Sequence, residues 1–130
     1  MMAEFDYSQA ISEVRSQYDS IALALDEDRL KSQIRDLGVE ASQPGLWDDP
    51  ENAQKVTGLL AATQTQVRHL DSLRQRIDDV QVLVELGREE SDSDALSEAQ
   101  TEITGIHGDL EDLEIQTLLD GEYDARSAVV

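Results

Sequence analysis

The sequence predicts an all-α protein, an antiparallel helical bundle built around a long, coiled-coil-like αα-hairpin. Three observations lead there. Apolar residues recur at spacings of three and four through nearly the whole chain, the period of one helix face. The two prolines stand together at positions 44 and 50, in one strongly punctuated corner. Aromatic residues make up 4% of the chain and hydrophobic residues 39%. Leu, Ile, Val and Ala must therefore fill the core, which suits helices packed along narrow apolar seams.

The first helix is expected over 8–25, where Ile11, Val14, Tyr18, Ile21 and Leu25 form one face. Asp26-Glu-Asp28 supplies caps and acids for a second start. Leu30, Ile34 and Leu37 carry that period over 27–38, to a stop at Gly38. The period alone leaves open whether these are two helices or one bent one.

Ser42-Gln-Pro-Gly-Leu-Trp-Asp-Asp-Pro50 then reads as a corner between packed helices. Pro44-Gly45 is a turn pair, and Asp49-Pro50 is a helix start: Asp49 accepts a backbone N–H as N-cap, and Pro50 sits at N1, where an N–H is dispensable. A third helix over 50–86 follows, with the seam Ala53, Val56, Leu60, Thr63, Val67, Leu70, Leu73, Ile77, Val80 and Val84. Two consecutive steps of three at Leu70 read as a stammer, a local overwinding of the seam. Gly87 is the expected stop.

The fourth helix is expected over 94–120, on the strict heptad series Leu96, Ala99, Ile103, Ile106, Leu110, Leu113 and Thr117. Gly105 and Gly108 interrupt its propensity at a cost of about 1 kcal/mol each, which close approach of a neighbouring helix would explain. The short acidic loop before it makes helices three and four antiparallel neighbours, a hairpin about 40–55 Å long at 1.5 Å rise per residue. Gly121 is expected to end the helix. Residues 127–130 turn apolar and β-branched, like the opening of an element in a longer protein. The organisation expected is a helical domain over 1–120, then a linker and the start of a downstream domain over 121–130.

The chain of 130 residues carries 29 acids against 10 Lys plus Arg, a net charge of −19. Such a surface repels phosphate backbones and anionic membranes. A basic protein is its natural complement, although the charge also serves solubility. Cysteine is absent, which removes disulfides, thiolate nucleophiles and thiolate metal ligands. Residues 1–10 carry no basic stretch and no apolar core of a signal sequence, and no apolar run would span a bilayer, so the expected location is cytoplasmic.

No motif in the sequence supplies the chemistry of a site. The carboxylate pairs Asp48-Asp49, Asp78-Asp79 and Glu89-Glu90 read as capping or surface acids, since adjacent residues point in different directions. The acid runs at 26–28 and 92–94 lack the glycine of a calcium loop, with Lys31 and Ser97 at its place. His107 and Glu111 are spaced i, i+4, but a metal needs further ligands. Gly105-Ile-His-Gly108 has the spelling of a nucleic-acid-binding loop but lies inside a heptad helix. Arg68, Arg74 and Arg76 form the one modest basic cluster, read as salt-bridging to facing acids. Between Glu85 and Asp124, fourteen acids face a single Arg. No catalytic, cofactor-binding or metal residue is therefore assigned, and no cofactor is expected.

Three separated segments carry a resemblance. Pro44-Gly-Leu-Trp-Asp-Asp-Pro-Glu-Asn-Ala-Gln-Lys-Val56 resembles a signature near the N-terminus of bacterial peptide chain release factor 2, of the class I release factor family. Asp78-Asp-Val-Gln-Val-Leu-Val-Glu-Leu86 with Glu89-Glu90, and Leu118-Leu-Asp-Gly-Glu-Tyr-Asp-Ala125, match that family in order and spacing. The resemblance runs from about Ile21 onward. It implies the helical N-terminal domain of a factor that recognises stop codons of the UGA/UAA class and triggers peptidyl-tRNA hydrolysis on the ribosome. In that family a Gly-Gly-Gln motif performs hydrolysis and a Ser-Pro-Phe motif reads the codon. Neither occurs in this sequence, so no catalytic residue is carried over. The resemblance places such a domain near the stalk base of the large subunit, against ribosomal protein, with a companion GTPase release factor as a further partner. Messenger RNA and peptidyl-tRNA would be met through other domains. The alternative reading is a free-standing acidic coiled-coil adaptor, or a chaperone-like protein for basic clients.

Overall fold

The computed structural model describes residues 5–129, with side chains through residue 119. Among the described residues there are four α-helices and no strand: α1 (Tyr7–Leu25), α2 (Glu27–Ala41), α3 (Pro50–Glu89) and α4 (Ser93–Val129), with a 3-10 turn at Leu46–Asp48.

Each start is capped by an aspartate. Asp6 Oδ1 accepts the Gln9 N–H at 3.0 Å and begins α1 one residue earlier than the apolar period implies. Asp26 settles whether the first two helices are separate. It adopts a left-handed conformation, φ 57°, which ends α1, and its side chain accepts the Arg29 N–H to start α2. Asp49 caps α3 through the Asn52 N–H, with Pro50 in the first turn. Asp92 caps α4 twice, through the N–H groups of Asp94 and Ala95.

The expected glycine stops are corrected. Helix α2 runs past Gly38 to Ala41, where Ser42 Oγ and Gln43 Nε2 both donate to the Val39 carbonyl. Helix α3 runs past Gly87 to Glu89. There Ser91 takes the left-handed position, φ 52°. The Asp92 N–H returns to the Gly87 carbonyl and the Ser91 N–H to the Arg88 carbonyl, bonds that close a helix end. Helix α4 continues through Gly121 to Val129. A helical glycine costs only about 1 kcal/mol, too little to break a helix that no proline follows. The stretch expected as a linker thus has a helical backbone. The apolar side chains of 127–130, like residues 1–4 of the stretch read for a signal sequence, lie outside the described residues.

The chain divides into two compact units. One joins residues 25–72. Within it α2 packs Leu37 and Ala41 against a small core of Leu46, Ala53 and Val56, so the 3-10 turn contributes an apolar anchor. The other unit joins residues 1–24 and 73–130. It is a three-helix bundle of α1, the second half of α3, and α4. Ile11, Val14, Tyr18 and Ile21 of α1 are buried, as are Leu73, Ile77, Val80 and Val84 of α3. Ala99, Ile103, Ile106, Leu110 and Leu113 of α4 complete the core. The chain passes from one unit to the other after Ser72, within the two steps of three that mark the slip in the seam.

No helix among the described residues is long and apolar enough to cross a membrane.

Candidate functional surface

The bundle is tied across helices by side-chain bonds from arginine and tyrosine. Arg15 on α1 donates to Asp78 on α3 at 2.8 Å and also to Gln81. Arg88 on α3 reaches Ser8 Oγ and lies over the Tyr7 ring. Tyr7 donates its hydroxyl to the Leu96 carbonyl at 2.9 Å, joining the start of α1 to α4, and Phe5 packs edge-on against it. These contacts make α1 antiparallel to α3 and parallel to α4. Sequence reasoning missed the role of Tyr7: it continues the α1 seam four residues before Ile11, but it falls ahead of the helix start expected at 8.

Two members of the modest basic cluster, Arg76 and Arg68, have different partners. Arg76 turns to α4, where it meets Glu102 at 2.9 Å and Asp109 at 2.6 Å. The hydrogen bond with Asp109, seconded by Glu102, holds the Arg76 guanidinium above its ordinary pKa against a smaller opposing effect of burial. Arg68 instead reaches Thr65 on its own helix. Arg76 therefore pairs with facing acids, as the sequence suggests.

The carboxylate pairs diverge. Asp78 faces Arg15 while Asp79 accepts from Gln75 on the same helix. Asp49 caps α3, and Asp48 is exposed at the end of the 3-10 turn. His107 Nδ1 lies 3.0 Å from Gln17 Oε1, and Nε2 lies 3.3 Å from Glu111, an arrangement that links α1 to α4. Among the described residues no three His, Asp or Glu side chains are grouped to hold a metal ion. The spelling Gly105-Ile-His-Gly108 is helical, with Ile106 wholly buried, so it presents no nucleotide-clamping loop.

Among the grooves of the described residues, two run along α1. One, about 330 Å³ between α1 and α3, has Ile11 and Val84 among its lining, with Arg15 and Arg88 beside them. Both arginines are already engaged by neighbouring side chains. The other, about 150 Å³, lies between the last turns of α1 and the 114–118 stretch of α4. Leu118 in its wall and Ile115 and Leu119 on the same helix are exposed; elsewhere, Val82 and Leu86 are exposed on α3. The heptad reading passed over these residues because they stand off its seam.

The PCRF domain matches residues 30–130. The chain belongs to the PCRF domain family. It is 46% identical over 125 residues to peptide chain release factor 2 of Kineococcus radiotolerans, a match covering 96% of this chain and 34% of that protein. The release factor 2 of an Arthrobacter species is 46% identical over 129 residues, covering 99% and 35%. That of Beutenbergia cavernae is 47% identical over 125 residues, covering 96% and 33%. This PCRF chain thus spans about a third of the length of the curated relatives it matches. The family was legible in the sequence. The match begins in α2 and takes in the corner, α3 and α4, so the arginine and aspartate contacts between α3 and α4 lie within it.

Proposed function

We infer that this chain is the helical N-terminal module of a translation termination factor. The observation that carries the reading is identity near 46% to release factors over almost the whole chain. The full factor would recognise UGA and UAA stop codons and trigger peptidyl-tRNA hydrolysis, through segments bearing the Gly-Gly-Gln and Ser-Pro-Phe motifs outside residues 1–130. The role of the module is to dock on protein and position the rest. Its net charge of −19 favours a basic ribosomal protein near the stalk base over ribosomal RNA, and a companion GTPase release factor is a second partner of the same kind. The module itself carries no catalytic residue in this reading.

A release assay on ribosomes programmed with each stop codon tests it. The full-length protein is expected to free peptide at UGA and UAA and not at UAG, and residues 1–130 alone to free none. Residues 1–130 are also expected to bind ribosomes weakly at physiological salt. Sub-micromolar binding by this chain alone, or release at UAG, would overturn the reading.

A further inference from the structure

Ile115, Leu118 and Leu119 form an apolar stripe on α4. Leu118 and Leu119 stand three and four residues after Ile115, so each is its neighbour on the helix surface, and all three are more than half exposed. They lie off the seam that buries Ile106, Leu110 and Leu113. The stripe is not flat surface alone. Leu118 is also a wall of the groove between α1 and α4, opposite Ser20, Ile21 and Ala24. Ile21 belongs to the core, so an apolar group entering the groove meets a packed floor.

The charge around the stripe has one sign. Glu111 and Asp112 lie four and three residues before Ile115, one helical turn away, and Glu114 lines the groove itself. From Glu89 to Ala125 the sequence holds no Lys or Arg. A second copy of the chain is a poor occupant, because stripe against stripe would bring these carboxylates together, on chains each of net charge −19. An apolar anchor with cations at its flanks fits both the groove and its rim. A helix supplies such a pattern, with apolar residues at i, i+3, i+4 and i+7.

We propose that the α1–α4 groove and the Ile115–Leu118–Leu119 stripe form a docking surface for a basic amphipathic helix of a partner protein. Its apolar face seats on Leu118 and Ile115, and its Lys and Arg side chains meet Glu111, Asp112 and Glu114. The proposal stands on these side chains and does not depend on the partner being ribosomal, so its failure would leave the termination-factor reading intact.

The test is fluorescence anisotropy with the 130-residue chain and a labelled Leu/Lys peptide of about 18 residues, long enough to form a helix. A second peptide has the same composition in an order that scatters the leucines. The amphipathic order is expected to bind at least about tenfold tighter than the scattered one. Leu118→Ser and Ile115→Ser, both exposed and checked by circular dichroism, should each weaken it about tenfold, while Val82→Ser on α3 changes it less than about twofold. Glu111→Lys with Glu114→Lys should weaken binding and flatten its salt dependence. Equal binding of the two peptides, no effect of the stripe variants, or an equal loss in Val82→Ser would overturn the proposal. So would sedimentation showing a dimer that Leu118→Ser dissolves, which would assign the stripe to a second copy.

Discussion

Arg76 on α3 donates to Asp109 on α4 at 2.6 Å. The same guanidinium reaches Glu102, seven residues earlier, at 2.9 Å, so one side chain spans two turns of the facing helix. Gly105 stands between the two acids, and a Cβ there would lie 3.5 Å from Arg76 Nη2. A planar fork serves two carboxylates at once; an ammonium does not.

Arg76→Ala is expected to lower unfolding stability by about 1 kcal/mol, the upper end for partly exposed pairs. Arg76→Lys should recover less than half of that. The check is urea denaturation at low and high salt, with a double-mutant cycle against Asp109→Ala. A coupling that does not shrink in high salt would contradict a solvent-screened bridge.

Gly87 and Gly108 predict opposite outcomes for the same substitution. A Cβ at Gly87 would stand 3.0 Å from both Cγ and Cδ2 of Leu96, whereas nothing lies within 4 Å of one at Gly108. Gly108→Ala should therefore stabilise by about 0.5–1 kcal/mol through helix propensity. Gly87→Ala gains the same propensity but must displace Leu96, and is expected to be at least about 1 kcal/mol worse than Gly108→Ala. Thermal unfolding of the two variants side by side measures the difference.

The same contrast shows where sequence reasoning reached and where it stopped. The periods placed nearly every buried residue: the series from Leu96 to Thr117 and the series from Leu70 to Val84 are the inward faces of α4 and α3. Buried position depends on spacing, and spacing is written in the chain. The Asp49-Pro50 start was equally legible, because its chemistry is local. The helix ends were not. Gly38, Gly87 and Gly121 look like stops, yet Ser42 and Ser91 do the closing for α2 and α3, through side-chain and left-handed geometry that many sequences adopt. For the candidate surface, acids and family signature were plain. The groove beside Leu118 was not, since it needs α1 brought alongside α4.

Ser91 holds a left-handed conformation, φ 52°, that glycine adopts without a steric penalty. Ser91→Gly is expected to stabilise the chain by up to about 1 kcal/mol, and Ser91→Val to destabilise it by more, because a branched Cβ is strained there. Urea midpoints at constant slope give both numbers. Equal stability of all three proteins would mean that the loop adjusts without cost.

Asp92 is the neighbour that makes this turn a tight one. Its Oδ1 accepts the N–H groups of Asp94 at 3.1 Å and Ala95 at 3.2 Å, while its own N–H closes α3 on the Gly87 carbonyl. One residue thus ends a helix with its backbone and starts the next with its side chain. Asp92→Ala leaves the first function and removes the second, at an expected cost of about 1 kcal/mol. Asp92→Asn keeps the acceptor and should lose less than half of that. Hydrogen exchange separates this from a general loss. Protection should fall first at the Asp94 and Ala95 amides in Asp92→Ala, with the amides in the middle of α4 following only the global change. An even loss along α4 would show that the cap acts on the whole bundle and not on the first turn.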